Sequence, residues 1–366
     1  YRKLMGDLSK DIVAGAASED FFAHFMVSQG FFSIMNRVFA AQVAEEKKKT
    51  TTSSDNAYST AFEKIYAELK AKIESSSVPS EIENNILNLG ALCGALPSSQ
   101  SHHHIENVVQ LMKKMLTNTP NMQEWILFAC NSTLACASFE LMHFTGQITE
   151  IIQILTSQFN QLLKQDNSEH ITSASCAIAL GLIAQKLCQG DSAVDFSAEK
   201  NLVLQITNTL YKNLYNEKQN TVFATHADWK QVACVMIGLS FCASSLLRAN
   251  ETLLLQDIYK SLNQSFTEAH KFCMSDDSES SSASSALVAT SLLALPRILV
   301  ALLKANNHIV TSKTAKHTLD MYWEIVKSTE SKKLPIYHEF YRNACIGFSS
   351  LLFTLLSETS FDLVDL

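Results

Sequence analysis

Two kinds of segment alternate along most of the chain, from about Asn84 to Ser357. One kind is almost free of charge and rich in Ala, Gly, Ser and Cys, whereas the other is polar with apolar residues at helical spacing. The small-residue segments cover residues 84–96, 125–141, 173–188, 229–247, 284–303 and 343–356. The polar segments that follow cover about 105–116, 147–164, 199–215, 251–272 and 309–328. This recurrence predicts a stack of helix pairs.

The spacing of the small-residue segments indicates the type of stack. Aligning them gives a repeat of roughly 40–60 residues, at or above the range of about 40–47 residues for HEAT and armadillo repeats. No proline occurs between Pro120 and Pro296, so a long part of the chain lacks the strongest helix breaker. We predict an all-α fold, a right-handed α-solenoid of HEAT/armadillo-like antiparallel helix pairs.

The small residues have a packing explanation. In a stacked array the inner helix contacts its partner and both neighbouring repeats, so it is apolar all round, whereas the outer helix keeps one wet face. Glycine costs about 1 kcal/mol relative to alanine inside a helix, so its recurrence there needs a reason. We predict close backbone approach at these glycines: Gly90, Gly94, Gly181, Gly238 and Gly347.

The pattern divides the chain into three parts. Residues 1–44 are predicted as N-terminal helices, with Phe21, Phe25, Phe32, Met35 and Phe39 on one face. Residues 45–57 are predicted as a flexible linker because they are charged and then small and polar. Residues 58–366 are predicted as the repeat array, with a mobile acidic Ser-rich loop at 274–285.

One helix start inside the array can be predicted in detail. Pro79 disfavours helical backbone at Val78. Ser80 is followed three residues later by Glu83, which is the pattern of a capping box. We therefore expect Ser80 to cap the first small-residue helix.

Charge and hydropathy argue against two classes of partner. The net charge is −7, whereas binding to a nucleic-acid backbone needs clustered Lys and Arg. Lys47–Lys49 is the only run of three basic residues, and it fits a solvated linker. The N-terminus lacks the pattern of a signal peptide. Pro296 and Arg297 interrupt the most apolar stretch, 286–303, which argues against membrane insertion.

The nine cysteines fit a reduced helical core. No CxxC spacing occurs, which argues against a zinc ribbon or a thioredoxin-type site. Free cysteine behaves as a small buried hydrophobe, so we predict reduced thiols and a cytoplasmic location. The cysteines inside apolar segments are Cys93, Cys130, Cys136, Cys176, Cys234, Cys242 and Cys345.

No constellation of residues predicts catalysis or metal binding. His102–His104 is the only histidine cluster, and without nearby Cys or acidic pairs it fits a solvated turn better than a metal site. GxSxG, GxxxxGK[ST] and GxGxxG are all absent. The acidic pairs Glu45–Glu46 and Asp276–Asp277 lie in segments predicted to be flexible. We predict no enzyme activity, no cofactor and no catalytic, cofactor-binding or metal-binding residues.

The three tryptophans have two possible roles. Trp125 and Trp229 stand near the start of small-residue helices, and Trp323 lies in a polar one. We predict that they pack corners between repeats, with an exposed hot spot for a partner as the alternative.

The small-residue helices at 176–190 and 232–247 have a Gly-Leu-centred pattern that resembles the C-terminal α-solenoid of the focadhesin family. The resemblance covers about residues 84–357. It implies a non-enzymatic cytosolic scaffold, linked to focal adhesions and to the stability of the SKI RNA-decay complex, whose components would be partners. The pattern is also similar to the repeats of the large non-ATPase proteasome base subunits, but those repeats are shorter and more regular.

Two hypotheses of different class follow. The first is a non-enzymatic scaffold that binds protein partners through an extended helical surface, with partner-binding residues that the sequence does not identify. The alternative is a regulatory or catalytic helical domain with an internal ligand pocket. Contact with RNA through a local basic strip is the weakest hypothesis, because the chain is acidic overall.

Overall fold

The computed structural model of the chain describes residues 21–49, 54–96, 102–118, 122–141, 145–162, 170–187, 197–214, 229–274, 282–305, 312–330 and 343–349. Within these ranges all regular structure is helical, which confirms the prediction of an all-α fold. The helices are α1 (Phe21–Lys49), α2 (Ser54–Ser75), α3 (Pro79–Cys93), α4 (His102–Asn118), α5 (Glu124–Glu140), α6 (Thr145–Leu162), α7 (His170–Leu187), α8 (Ser197–Leu214), α9 (Trp229–Arg248), α10 (Thr252–Met274), α11 (Ser282–Lys304) and α12 (Ser312–Glu330). Residues 343–349 are also helical.

The chain forms two compact units, Tyr1–Ala179 and Leu180–Leu366, and the boundary lies within α7. The sequence predicts no boundary there, since the small-residue pattern runs through α7 without a break. In the first unit α1 packs on α2 and α3, α3 packs on α5, and α5 also contacts α4 and α6. In the second unit α9 packs on α8, α10 and α11, and α11 also packs on α10.

The polar helices are amphipathic, as their pattern predicts. In α4, Ile105, Val108 and Met112 are buried, whereas Asn107 and Gln110 are exposed. The same three- and four-residue spacing buries Leu255, Ile258, Leu262 and Phe266 in α10. Burial of one apolar stripe per helix against its neighbours is what stabilises these elements.

The small-residue helices approach one another closely at glycines. A Cβ atom added to Gly90 would lie 2.9 Å from Thr133 Oγ1, and one added to Gly181 would overlap the backbone of Gly238. A Cβ atom on Gly347 would lie 2.8 Å from the carbonyl oxygen of Leu292. The packing prediction is therefore confirmed at these positions. It is wrong for Gly94, which is exposed because it follows the last residue of α3.

Polar side chains of the small-residue helices bond the backbone of the preceding small-residue helix. Thr133 Oγ1 of α5 donates to the carbonyl oxygen of Ile86 in α3 at 2.8 Å. In the second unit Ser245 Oγ of α9 donates to the carbonyl oxygen of Ala184 in α7. Asn343 Nδ2 donates to that of Ala289 in α11 at 3.0 Å. These bonds satisfy buried polar groups and explain why Ser, Thr and Asn recur in helices that are otherwise apolar.

Pro296 lies inside α11 without ending it. Proline has no N–H group, so the carbonyl of Leu292, four residues earlier, lacks its usual partner within the helix. The hydroxyl of the buried residue Tyr322 in α12 donates to this carbonyl oxygen at 3.1 Å. A side chain from a neighbouring helix thus replaces the hydrogen bond that the proline removes.

Two predicted segment boundaries are wrong. Residues 45–49 belong to α1 and residues 54–57 to α2, so the predicted linker 45–57 is helical at both ends. Ion pairs explain the longer helix, since Lys49 pairs with Glu45 at 2.6 Å and Lys64 of α2 pairs with Glu46 at 2.7 Å. Residues 50–53 lie outside the described residues.

The predicted mobile loop 274–285 is also helical at both ends. Met274 is the last residue of α10, and residues 282–285 begin α11. Residues 275–281 between them lie outside the described part of the chain. The serines of 282–285 begin a helix because the apolar register of α11 follows at once.

The start of α3 differs from the capping-box prediction. The helix begins at Pro79, and Val78 is the N-cap residue with extended backbone and no side-chain cap. Pro79 at the first helical position has its φ angle pre-set for the helix, and its missing N–H needs no partner there. Ser80 therefore lies within the first turn rather than at the cap.

One segment of the described residues, Leu287–Lys304, is long and apolar enough to cross a membrane by length and composition. The core helix of a globular domain passes the same test, and 78% of this segment is buried inside the protein. Its hydrophobicity is therefore explained by its place in the core of the second unit. The cytoplasmic location stays a prediction.

Candidate functional site

The cysteines of the small-residue helices are packing residues. Cys93, Cys130, Cys176, Cys234 and Cys242 are buried free thiols. Burial raises the pKa of Cys130, Cys176 and Cys242 to about 12 and raises the pKa of Cys234 further. Since the thiolate is the nucleophile and the metal ligand, the four thiols with raised pKa values are unreactive at neutral pH.

His104 lies in the arrangement closest to a catalytic one among the described residues. Its Nε2 atom is 2.8 Å from Ser59 Oγ of α2, and its Nδ1 atom is 4.0 Å from Glu63 Oε1 of the same helix. The ring packs against Phe62 with 5.1 Å between centroids, and the residue is only 8% exposed. The prediction of a turn is therefore wrong for His102–His104, which begin α4, and the prediction of a solvated site is wrong for the buried His104, whereas His103 is exposed.

This arrangement lacks two features that acyl transfer needs. Ser59 lies inside α2, where backbone N–H groups are bonded along the helix and cannot stabilise an oxyanion. Glu63 is 65% exposed, and its distance to Nδ1 exceeds that of a hydrogen bond, so it does not fix the imidazole. The Ser59–His104 bond is best explained as a contact that joins α2 to α4.

His104 should make the stability of the protein depend on pH. Burial lowers the pKa of His104 below its usual value. The charge of Glu63 raises this pKa by less, and that of His103 lowers it slightly further. Because the folded state binds the proton less readily than the unfolded state, stability is full above the unfolded pKa, about 6.5, and falls as the pH drops below it. We expect the urea midpoint to fall from pH 7.5 to pH 5.5.

His104→Gln is the matched control, because an amide can keep a hydrogen bond to Ser59 but does not titrate in this range. Urea unfolding followed by circular dichroism at both pH values measures the difference. The midpoint of the variant should fall less than that of the unchanged chain. An equal or larger fall in the variant would contradict the role given to His104.

The other candidate residues that the structure describes do not converge on a metal site. No group of three or more His, Cys, Asp or Glu side chains able to hold a metal ion occurs in the described part of the chain. His317 is exposed on α12, and the side chains of His170 and His270 lie outside the description. His143, His226, His308, His338, Asp276 and Asp277 also lie outside the described residues.

The tryptophans occupy different environments. Trp125 is half-buried and meets Phe128 edge to face, with 5.8 Å between ring centroids. Trp323 of α12 is 47% exposed, so the corner-packing prediction is wrong for it. The apolar register of α12 buries Leu319, Tyr322 and Val326, and this register leaves Trp323 outside the stripe. The side chain of Trp229 is not among those described.

The exposed Trp323 of the second unit contacts an aromatic ring and a lysine. Its ring lies 5.9 Å from that of Phe348, and Lys327 Nζ lies 5.3 Å from its centroid. Ile346 is 54% exposed on the helical segment 343–349. Exposed tryptophan side chains such as that of Trp323 are of a type enriched at protein interfaces.

Lys47–Lys49 belong to the last turn of α1 rather than to a linker. Lys49 pairs with Glu45, and Lys47 Nζ lies 4.9 Å from the ring centroid of Tyr58 in α2. Positive charge in the last turn of a helix is favourable, so this run has a local structural role.

No protein-family model matches the chain, and comparison with curated proteins and with solved structures found no match. The resemblance to the focadhesin family stays a prediction.

Proposed function

We propose that the chain is a non-enzymatic α-solenoid scaffold that binds protein partners through its helical surface. The observation that carries this proposal is the chain of contacts between consecutive small-residue helices, from Ile86–Thr133 in the first unit to Ala184–Ser245 and Ala289–Asn343 in the second. Repetition of the same contact at intervals of 47, 61 and 54 residues supports HEAT-like stacking, since solenoid repeats contact only their neighbours.

We propose that this array is right-handed and that its repeats are antiparallel helix pairs. Each pair has an amphipathic helix with one wet face, such as α4, α10 and α12. These wet faces, together with the exposed residues Leu253, Trp323 and Ile346, offer surface to a partner. The inert thiols and the incomplete Ser59–His104–Glu63 arrangement favour this proposal over an enzyme with an internal pocket.

The partners proposed from the focadhesin resemblance are components of the SKI complex, and the location proposed is the cytoplasm. The test is affinity purification of the full chain from cells, followed by reconstitution of each candidate from purified components. We expect a stoichiometric complex that co-elutes in size-exclusion chromatography with light scattering.

Trp323→Asp serves as the surface variant in this experiment, with Lys260→Glu on α10 as the exposed control. A chain that forms no stoichiometric complex with any purified protein would contradict the scaffold. A complex without SKI components would contradict only the proposed partner.

A further inference from the structure

Arg297 is a charged residue in the middle of a helix that otherwise packs the core. It lies seven residues before the end of α11, follows the buried Pro296, and is exposed. Its guanidinium carbon lies 4.3 Å from the ring centroid of Phe241 in α9, which fixes the orientation of the planar group. No carboxylate of the described residues pairs with it.

The two helices that meet at Arg297 carry basic residues and no acidic ones, and the acidic Asp257 lies exposed on α10, which packs on both. Helices α9 and α11, which pack on each other, contain Lys230, Arg248, Arg297 and Lys304 and no Asp or Glu. Arg248 and Lys304 lie in last turns, where they complement the helix dipole. That effect is confined to the last turn, so it does not account for Arg297.

Helical spacing places Arg297 within a continuous exposed strip. On α9 Ile237 is half-buried and Ser244 exposed, one turn to either side of Phe241. On α11 the half-buried Leu293 and Val300 flank Arg297. The contact between Arg297 and Phe241 brings the two rows side by side. We name this surface the Arg297 strip; it consists of Ile237, Ser244, Leu293, Arg297, Val300 and Lys304.

We propose that the Arg297 strip binds an acidic, partly aliphatic segment of a partner protein, with a carboxylate of the segment paired to the Arg297 guanidinium. Arginine presents a rigid fork that matches a carboxylate with two parallel hydrogen bonds. Leu293 and Val300 flank it on α11 with aliphatic surface, which suits peptide side chains. This assignment rests on the proposed scaffold function, since it names the partner chemistry of one surface of the array.

Two further observations favour a peptide over a nucleic acid. The strip alternates aliphatic and basic residues, whereas nucleic-acid surfaces need several clustered cations, and the chain as a whole carries a charge of −7. Neighbouring protein atoms partly desolvate the guanidinium and lower the pKa of Arg297, although its outer surface is exposed. A recessed charge of this kind interacts more strongly with a single carboxylate than a fully solvated one.

The test uses the full chain and fluorescein-labelled twelve-residue peptides of Asp and Leu, with a matched Lys and Leu peptide and a labelled single-stranded oligouridine. Fluorescence anisotropy should show binding of the Asp and Leu peptide alone. Arg297→Glu should weaken that binding by about tenfold or more, because it removes the charge-paired anchor. Arg297→Lys should weaken it less, since the charge remains but the paired geometry is lost.

Lys260→Glu is the matched control, because it makes the same change in net charge at an exposed position of α10. It should bind the peptide as the unchanged chain does, and all variants should unfold at the same urea midpoint. Equal weakening by Lys260→Glu and Arg297→Glu would overturn the proposal, as would tighter binding of the oligouridine or no binding of the Asp and Leu peptide. If the chain with Arg297→Glu still forms the reconstituted partner complex, the binding proposed for the Arg297 strip is contradicted, whereas the proposed scaffold function is not.

Discussion

Replacing Tyr322 by phenylalanine is expected to lower the free energy of unfolding by about 1–3 kcal/mol, the range for leaving a buried carbonyl without a partner. The affected carbonyl is that of Leu292, which has no helical donor because Pro296 lacks an N–H group. Loss of a buried tyrosine hydrogen bond to an ordinary helical carbonyl would cost less stability, because that carbonyl would keep its hydrogen bond within the helix. Urea unfolding followed by circular dichroism measures the difference.

Pro296→Ala provides the decisive comparison for Tyr322. Alanine restores an N–H group that can donate to the Leu292 carbonyl within α11. The change from tyrosine to phenylalanine should therefore cost less than about 1 kcal/mol in the Pro296→Ala background. Equal costs in the two backgrounds would show that the hydroxyl does not compensate for the proline, and this double-mutant cycle separates the pairing from any effect of either change alone.

Gly181→Ala is expected to destabilise the second unit by about 1–3 kcal/mol, as overpacking does in a close-packed core. The added methyl group would overlap the backbone of Gly238, and a backbone cannot rotate away as a flexible side chain can. The normal effect of this change inside a helix has the opposite sign, since alanine favours the helix by about 1 kcal/mol. Thermal or urea unfolding measures the sign of the change in stability directly.

Gly146→Ala is the control for the glycine experiment. Gly146 lies in the first turn of α6, is exposed, and has no atom within 4 Å of an added Cβ. This variant should be as stable as the unchanged chain or slightly more stable. Stabilisation by Gly181→Ala as well would mean that α7 and α9 do not approach as closely as described.

Local pattern was sufficient to predict the helices and much of their packing. The spacing of Ile105, Val108 and Met112 predicts the buried face of α4, and the glycines of α7 and α9 predict the close approach at Gly181 and Gly238. Both features depend on residues that are close in sequence or on side-chain size alone. Which residue each glycine contacts could be identified only from the structure.

The features that sequence reasoning missed depend on distant partners. The sequence predicts a solvated turn at His104, whereas its hydrogen-bond partner Ser59 lies 45 residues earlier and could be found only in the structure. The sequence predicts an interruption at Pro296, whereas the hydroxyl that compensates for it is supplied from α12 by Tyr322, far along the chain. Trp323 could have been assigned to the surface from the register of Leu319, Tyr322 and Val326.

The assumption that small-residue helices are apolar all round also failed on α11. Arg297 is exposed on α11 and stacks on Phe241, so this row of helices presents surface of its own. The charge of Arg297 is visible in the sequence, where it argues only against membrane insertion. Its position over an aromatic ring and its lack of a carboxylate partner were visible only in the structure.

The direction of the bonds between small-residue helices has a consequence for how the chain is made. In the Thr133–Ile86, Ser245–Ala184 and Asn343–Ala289 pairs the donor side chain lies on the later helix and the acceptor carbonyl on the earlier one. A ribosome releases the acceptor helix first, and domains fold from the N-terminus during synthesis. In these three pairs the emerging helix therefore meets a carbonyl that already stands in a formed helix, so the later helix can dock as soon as it is synthesised.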